Sequence, residues 1–393
     1  LETRAPVGCH YAQVKVNSIM LDMVAERIAA GQLTLDSAGE LVGDAAERGE
    51  LTEPDAARAI ERARAALQAG ELPLAGIWAR LATAAASRLA DPLYTARAFS
   101  LLGLATLGGP SPEEAEPSLE RALSLFESAG YRGVERANCY YGLAQLRSDR
   151  RQLDQAVDLA TKASLIFEEH GLDEDVANCQ YLLGQARYAQ GRPGEAADAL
   201  NRAAHVFAVN GRDVEAARCY YVHAHVAIEQ EQLEDAADLL KRAQRIFGEN
   251  GILVYQAHGY FTLAQVRHNQ GNLAEARELL SRAEALYSEL GLTVDVHRCR
   301  YSLAQVSYSQ GTVDQIPVLL AQAEAIFLHH HLRADAARCR YLKALLAQDQ
   351  GRLAEAADLL TGAESVFRKE GYAAEAARCR EALAASVAGG GER

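Results

Sequence analysis

Residues 177–216 read ANCQYLLGQARYAQGRPGEAADALNRAAHVFAVNGRDVEA, a stretch that holds two helical runs and the signals that end them. Cys179, Leu183, Gly184 and Ala186 recur at helical spacing, and Gly191 with Pro193 then interrupts the pattern. The second run carries Ala196, Leu200, Ala203, Val206 and Phe207 on one side, at steps i, i+4, i+7, i+10 and i+11. It stops at Asn210–Gly211, where glycine can take the left-handed conformation that closes a helix. The stretch therefore predicts one helical hairpin.

That hairpin repeats every 40 residues. Cys139, Cys179, Cys219, Cys299, Cys339 and Cys379 mark the period, with Gly259 in the remaining place. Tyr141, Tyr181, Tyr221, Phe261, Tyr301 and Tyr341 follow it, as do Phe167, Phe207, Phe247, Tyr287, Phe327 and Phe367. Six copies run over 137–376. A lone hairpin cannot cover its apolar face, so the copies must stack. The expected fold is all-α, a right-handed α-solenoid superhelix of about nine hairpins. Upstream, 17–136 reads as degenerate copies or an N-terminal cap, Arg97 to Arg136 matching best at an offset of 41. Residues 1–16 are expected to be a disordered segment, 377–388 a C-terminal capping helix and 389–393 a disordered tail.

Tyr301, Leu303, Ala304, Gln310 and Gly311, with Ala276 and Ala283 before them, resemble the tetratricopeptide repeat. Small residues at the eighth and twentieth places, such as Gly184 and Ala196, suit the same close helix approach. The period of 40 exceeds that family's usual length of about 34, and no proline closes each copy. The longer helices resemble those of kinesin light chain and of bacterial regulators. In such proteins the first helices line a concave groove, and the resemblance implies the same for the outward places here. These are Asn138, Tyr141 and Gln145; Asn178, Tyr181 and Gln185; Arg218, Tyr221 and His225; His258, Phe261 and Gln265; Arg298, Tyr301 and Gln305; Arg338 and Tyr341. Aromatics flanked by amides and guanidinium groups suit an extended peptide or protein segment, and the arginines suit acidic or phosphorylated groups on it. The bland alternative is that the fifth-place aromatics only pack between neighbouring first helices.

Composition excludes other classes. A net charge of −13 disfavours nucleic acid. The most apolar stretch, near Trp78, is broken by Arg80 and Arg88, so no membrane span is expected, and no apolar leader opens the chain. The cysteines form no CxxC motif and their spacing suits small core residues rather than zinc or disulfides, which fits a cytoplasmic, reducing setting. Cys9 stands outside the period. No GxSxG, P-loop, GxGxxG or HExxH motif occurs, so no catalytic residue, cofactor or metal is assigned. The expected function is a non-catalytic adaptor, scaffold or regulatory sensor. An alternative is the sensory arm of a larger system with an ATP-driven regulator or caspase-like protease. A weaker one is a metal-dependent enzyme using His225, His258 and His268. No heptad seam is sustained long enough to assign an oligomeric state.

Overall fold

The computed structural model describes residues 20–48, 50–87, 89 and 91–390, and every regular element among them is helical. The expected segment 1–16, Cys9 and residues 391–393 of the expected tail lie outside the described residues. The chain divides into two compact units, up to Asn210 and from Gly211 onward, so the border falls inside the 137–376 array.

The first unit opens with α1 (20–29), α2 (Leu35–Glu47), α3 (Glu53–Gln68), α4 (Leu72–Ala86) and α5 (Pro92–Leu107). A 3-10 turn, Pro112–Ala115, leads into α6 (Glu116–Ser128), α7 (Val134–Asp149), α8 (Leu153–Glu169), α9 (Asp173–Ala189) and α10 (Pro193–Val209). The second unit holds α11 (Asp213–Glu229), α12 (Leu233–Glu249), α13 (Leu253–Asn269), α14 (Leu273–Glu289) and α15 (Thr293–Ser309). It continues through α16 (Ile316–His329), α17 (Arg333–Asp349), α18 (Leu353–Lys369) and α19 (Ala373–Gly390). From α3 onward consecutive helices within each unit pack as hairpins, and first helices also touch one another from α3 to α9 in the first unit and from α13 to α19 in the second. No helix among the described residues is long and apolar enough to cross a membrane.

Turn chemistry explains the hairpins. Gly191 sits at φ 71°, its N–H donates to the carbonyl of Tyr188 and that of Arg192 to the carbonyl of Arg187. This is the bond pair of a glycine-closed helix end, and Pro193 then opens α10 where a missing N–H costs nothing. His331 takes the corresponding left-handed place after α16 at φ 58°, where the other copies have glycine. α16 itself begins late, at Ile316, because Pro317 has no N–H to donate to the carbonyl four residues before it and so fits only in a first turn.

The periodic columns are the core. In several copies the aromatic near the end of the second helix shares a buried cluster with the cysteine of the next first helix: Phe126 and Phe167 with Cys139 and Cys179, Tyr287 with Cys299, Phe327 with Cys339, Phe367 with Cys379. The six described cysteines are free and buried. Burial pushes the thiols of Cys139, Cys179, Cys219 and Cys339 up to about 12, so they serve as small hydrophobes rather than nucleophiles. Close approach is visible at Gly184, where an added Cβ would stand 2.6 Å from Leu200 Cγ. One expectation needs correcting: Leu182, not Leu183, is the fully buried leucine of α9. It packs back against Ala144 and Ala160, because a first helix has a second apolar face toward the preceding hairpin.

Candidate functional site

In the second unit, the first helices α13, α15 and α17 present their outward places to one cavity of about 510 Å³. It brings together Phe261, Gln265, Arg298, Tyr301, Gln305, Arg338 and Tyr341, all expected from the sequence. Its rows run across the helices. A charged row lies at the helix heads, an aromatic row behind it, then Gln265, Gln305 and Leu345, and finally His268, Tyr308 and Ser309.

The charged row is an alternating ladder. Arg298 donates to Asp295 at 2.9 Å and lies 3.6 Å from Asp335. Arg338 donates to Asp335 at 2.5 Å and to Glu375 at 3.1 Å, and Glu375 in turn lies 4.0 Å from Arg378. Each acid stands at the head of a first helix, where negative charge suits the helix dipole. The two central arginines are thus already neutralised by carboxylates of their own and the next first helix.

The far edge is also tied. His268 Nε2 lies 2.9 Å from Ser309 Oγ, and Tyr308 hydrogen-bonds Asp349, with burial the larger cause of a hydroxyl pushed up to about 12. Between these edges the amides of Gln265 and Gln305 have no hydrogen-bond partner among the described residues. The aromatic row is not freely outward, as its spacing implied, but half-buried. Burial raises the hydroxyl of Tyr301 well above the ordinary range, with the neighbouring Cys339 adding to it and Arg338 opposing it. Exposure there is set by the adjoining first helix, which a single-helix projection leaves out.

The remaining expected residues lie elsewhere. Arg218 stands 5.6 Å over the Tyr255 ring, because Tyr255 occupies the place that Asp295, Asp335 and Glu375 hold in later copies. Tyr221 packs edge-on against His225 at 4.8 Å. His258 meets Tyr287 at 5.5 Å, and burial lowers its pKa against the opposing pull of Asp295. The three histidines weighed as metal ligands therefore each have a different neighbour. Among the described residues no group of three His, Cys, Asp or Glu side chains is placed to hold a metal ion.

In the first unit α7 carries Asn138, Tyr141 and Gln145, and α9 carries Asn178, Tyr181 and Gln185. Gln185 donates to the Tyr181 hydroxyl at 3.0 Å. Burial pushes Tyr141 up to about 12, against a hydrogen bond from Gln145. Sequence reasoning did not include Asp335, Glu375 or Tyr308 in the site, whereas Arg378 stands in the same outward column as Arg298 and Arg338 at the start of the expected capping helix. The signal was an acidic column over Glu135, Asp175, Glu215, Asp295, Asp335 and Glu375, three residues ahead of the arginine column.

Residues 189–348 match the family model described as "Soluble NSF attachment protein, SNAP". No curated protein matches the chain. Among solved structures it is similar to a Rap protein complexed with competence and sporulation factor, at 14% identity over 85% of this chain and 98% of that one, TM-score 0.54. Aspartyl phosphate phosphatase F from Bacillus subtilis is 16% identical over 93% of this chain and 96% of its own, TM-score 0.57. A signal transduction ATPase with numerous domains from Pyrococcus horikoshii, which has a tetratricopeptide repeat sensor, is 14% identical over 80% of this chain and 48% of its own, TM-score 0.59. At these identities the likeness concerns the fold, and with the consecutive packed helical pairs it shows that this chain has a tetratricopeptide-like helical-repeat fold.

Proposed function

We propose that the chain is a non-catalytic binding scaffold or regulatory sensor, and that it takes an extended peptide or partner-protein segment across α13, α15 and α17. The observation that carries this reading is the pair of amides Gln265 and Gln305, which face one cavity from adjacent first helices and have no partner among the described residues. Neighbouring helices lie roughly 8–10 Å apart, and an extended chain advances about 3.3 Å per residue, so each amide meets the backbone about every third residue. Phe261 and Tyr301 beneath them offer apolar area at low entropic cost. A backbone-reading groove suits segments of varied sequence, with acidic or phosphorylated groups received at its charged head.

The buried thiols, with raised pKa, disfavour cysteine chemistry, and the contact of His268 with Ser309 is read as a tied edge of the groove rather than as a catalytic pair. The same reduced cysteines support a cytoplasmic setting. The Rap protein's complex with competence and sporulation factor supports a peptide as the kind of partner. A second reading, that the chain is the sensory arm of a larger signalling system, draws on its likeness to 48% of the ATPase that has a repeat sensor.

The test is a pull-down followed by mass spectrometry with the intact chain and with Gln265→Ala/Gln305→Ala. Both amides are at least partly exposed and neither supports the core, so circular dichroism should be unchanged. Partners recovered by the intact chain should fall about tenfold or more with the variant, the loss expected for two hydrogen bonds. Equal recovery would move the site off this groove.

A further inference from the structure

The three arginines of this column that line the cavity divide into two committed members and one with donors to spare. Arg298 and Arg338 each hold two carboxylates. An incoming anion would have to displace an acid already bonded there, exchanging one charge-assisted contact for another. Arg378 is different. It is 61% exposed, lines the same cavity, and its nearest carboxylate, Glu375, stands at 4.0 Å while donating Arg338 holds that same oxygen at 3.1 Å. The charge of Arg378 reaches both Tyr301 and Tyr341, so it faces the aromatic row and not only the solvent. The acids around it are Glu375, Asp335 and, on its own helix, Glu381, whose charge also reaches Tyr341. Asp335 is held by Arg298 and Arg338, which leaves it little field toward Arg378.

Resting on the groove reading above, we infer that Arg378 reads an anionic group at one end of the bound segment and so sets its direction, with the anionic end at α19. The shared chemistry is an anion able to take two guanidinium donors: a terminal carboxylate, an acidic side chain or a phosphate. The body of the segment, lying over Phe261, Gln265, Tyr301 and Gln305, needs no charge. Arg218, in the same column but stacked on Tyr255 outside the cavity, has no part in this.

The experiment offers the full chain random peptides of about nine residues, the length three first helices span at about three residues each. The arms are amidated peptides with a neutral last residue, amidated peptides ending in glutamate, amidated peptides ending in phosphoserine, and peptides with a free carboxylate. The intact chain should retain at least one anionic arm about tenfold over the neutral arm, the effect of one charge-assisted hydrogen bond. The winning arm names the source of the anion. Arg378→Gln should abolish that preference and keep binding of the neutral arm, while Arg218→Gln should leave the preference intact. Binding with no preference, or a preference that survives Arg378→Gln, overturns the inference and leaves the groove standing. Retention of no arm by the folded intact chain overturns both.

Discussion

The heads of the first helices differ between the two units although they occupy the same places in the repeat. In the second unit Arg298, Asp335, Arg338 and Glu375 join α15, α17 and α19 through alternating charges. In the first unit the arginine places of α7 and α9 hold Asn138 and Asn178, and Asp175 between them has no ion-pair partner among the described residues. Burial raises the Asp175 carboxyl, with Glu174 adding to it. One step upstream the ladder returns, with Arg97 and Arg64 both 3.4 Å from Glu135. The buried columns, by contrast, are alike in both units: Cys179 and Phe167 in one, Cys339 and Phe327 in the other, are all within 2% of full burial. The stack is therefore held by its apolar columns, and the polar heads are free to differ, which is the pattern expected where heads read a ligand.

The strongest way to break this comparison is to show that the cores are not alike. Phe167→Ala and Phe247→Ala should each cost about 3–5 kcal/mol in urea unfolding, since each removes a fully buried ring from an equivalent place. A loss near zero in one unit alone would end the claim of a common core. A smaller effect should separate the heads. Arg338→Ala leaves two partly buried carboxylates without their closest partner and should cost about 1–2 kcal/mol, while Asn178→Ala should stay within about 0.5 kcal/mol. Equal losses would mean that the ladder adds nothing.

The smallest effect is in pH dependence, and it has opposite signs in the two units. Burial alone would raise Glu375, but hydrogen bonds from Arg338 and the backbone hold it below its ordinary 4.5. Its stabilising contribution is therefore full above pH 4.5 and is lost as pH falls through the lowered folded value. Asp175 is raised above 3.8, so its contribution is present below that pH and lost as pH rises through the folded value. Melting curves at pH 7 should show Glu375→Gln slightly less stable than the parent and Asp175→Asn slightly more stable, each within about 0.5–1 kcal/mol. At pH 3 the Glu375→Gln difference should shrink. The same sign for both variants at pH 7 would remove the contrast.

The 40-residue spacing of Cys179, Ala196 and Phe207 was enough to determine the helical hairpin, its turns and its stacking, because burial imposes a period that every copy repeats. The same spacing selected seven residues that share the cavity. It also placed Arg218 and His258 with them, and only the tertiary structure separates these two, since one substitution at Tyr255 removes a rung and redirects its arginine into stacking. Half-burial of Tyr301 is likewise decided by the neighbouring first helix, as is the commitment of Arg338 to Glu375, 37 positions away in sequence. A column in the sequence says which face of a helix a side chain shares. Whether its charge is free or already held depends on distances between helices, and those arise only when the hairpins pack.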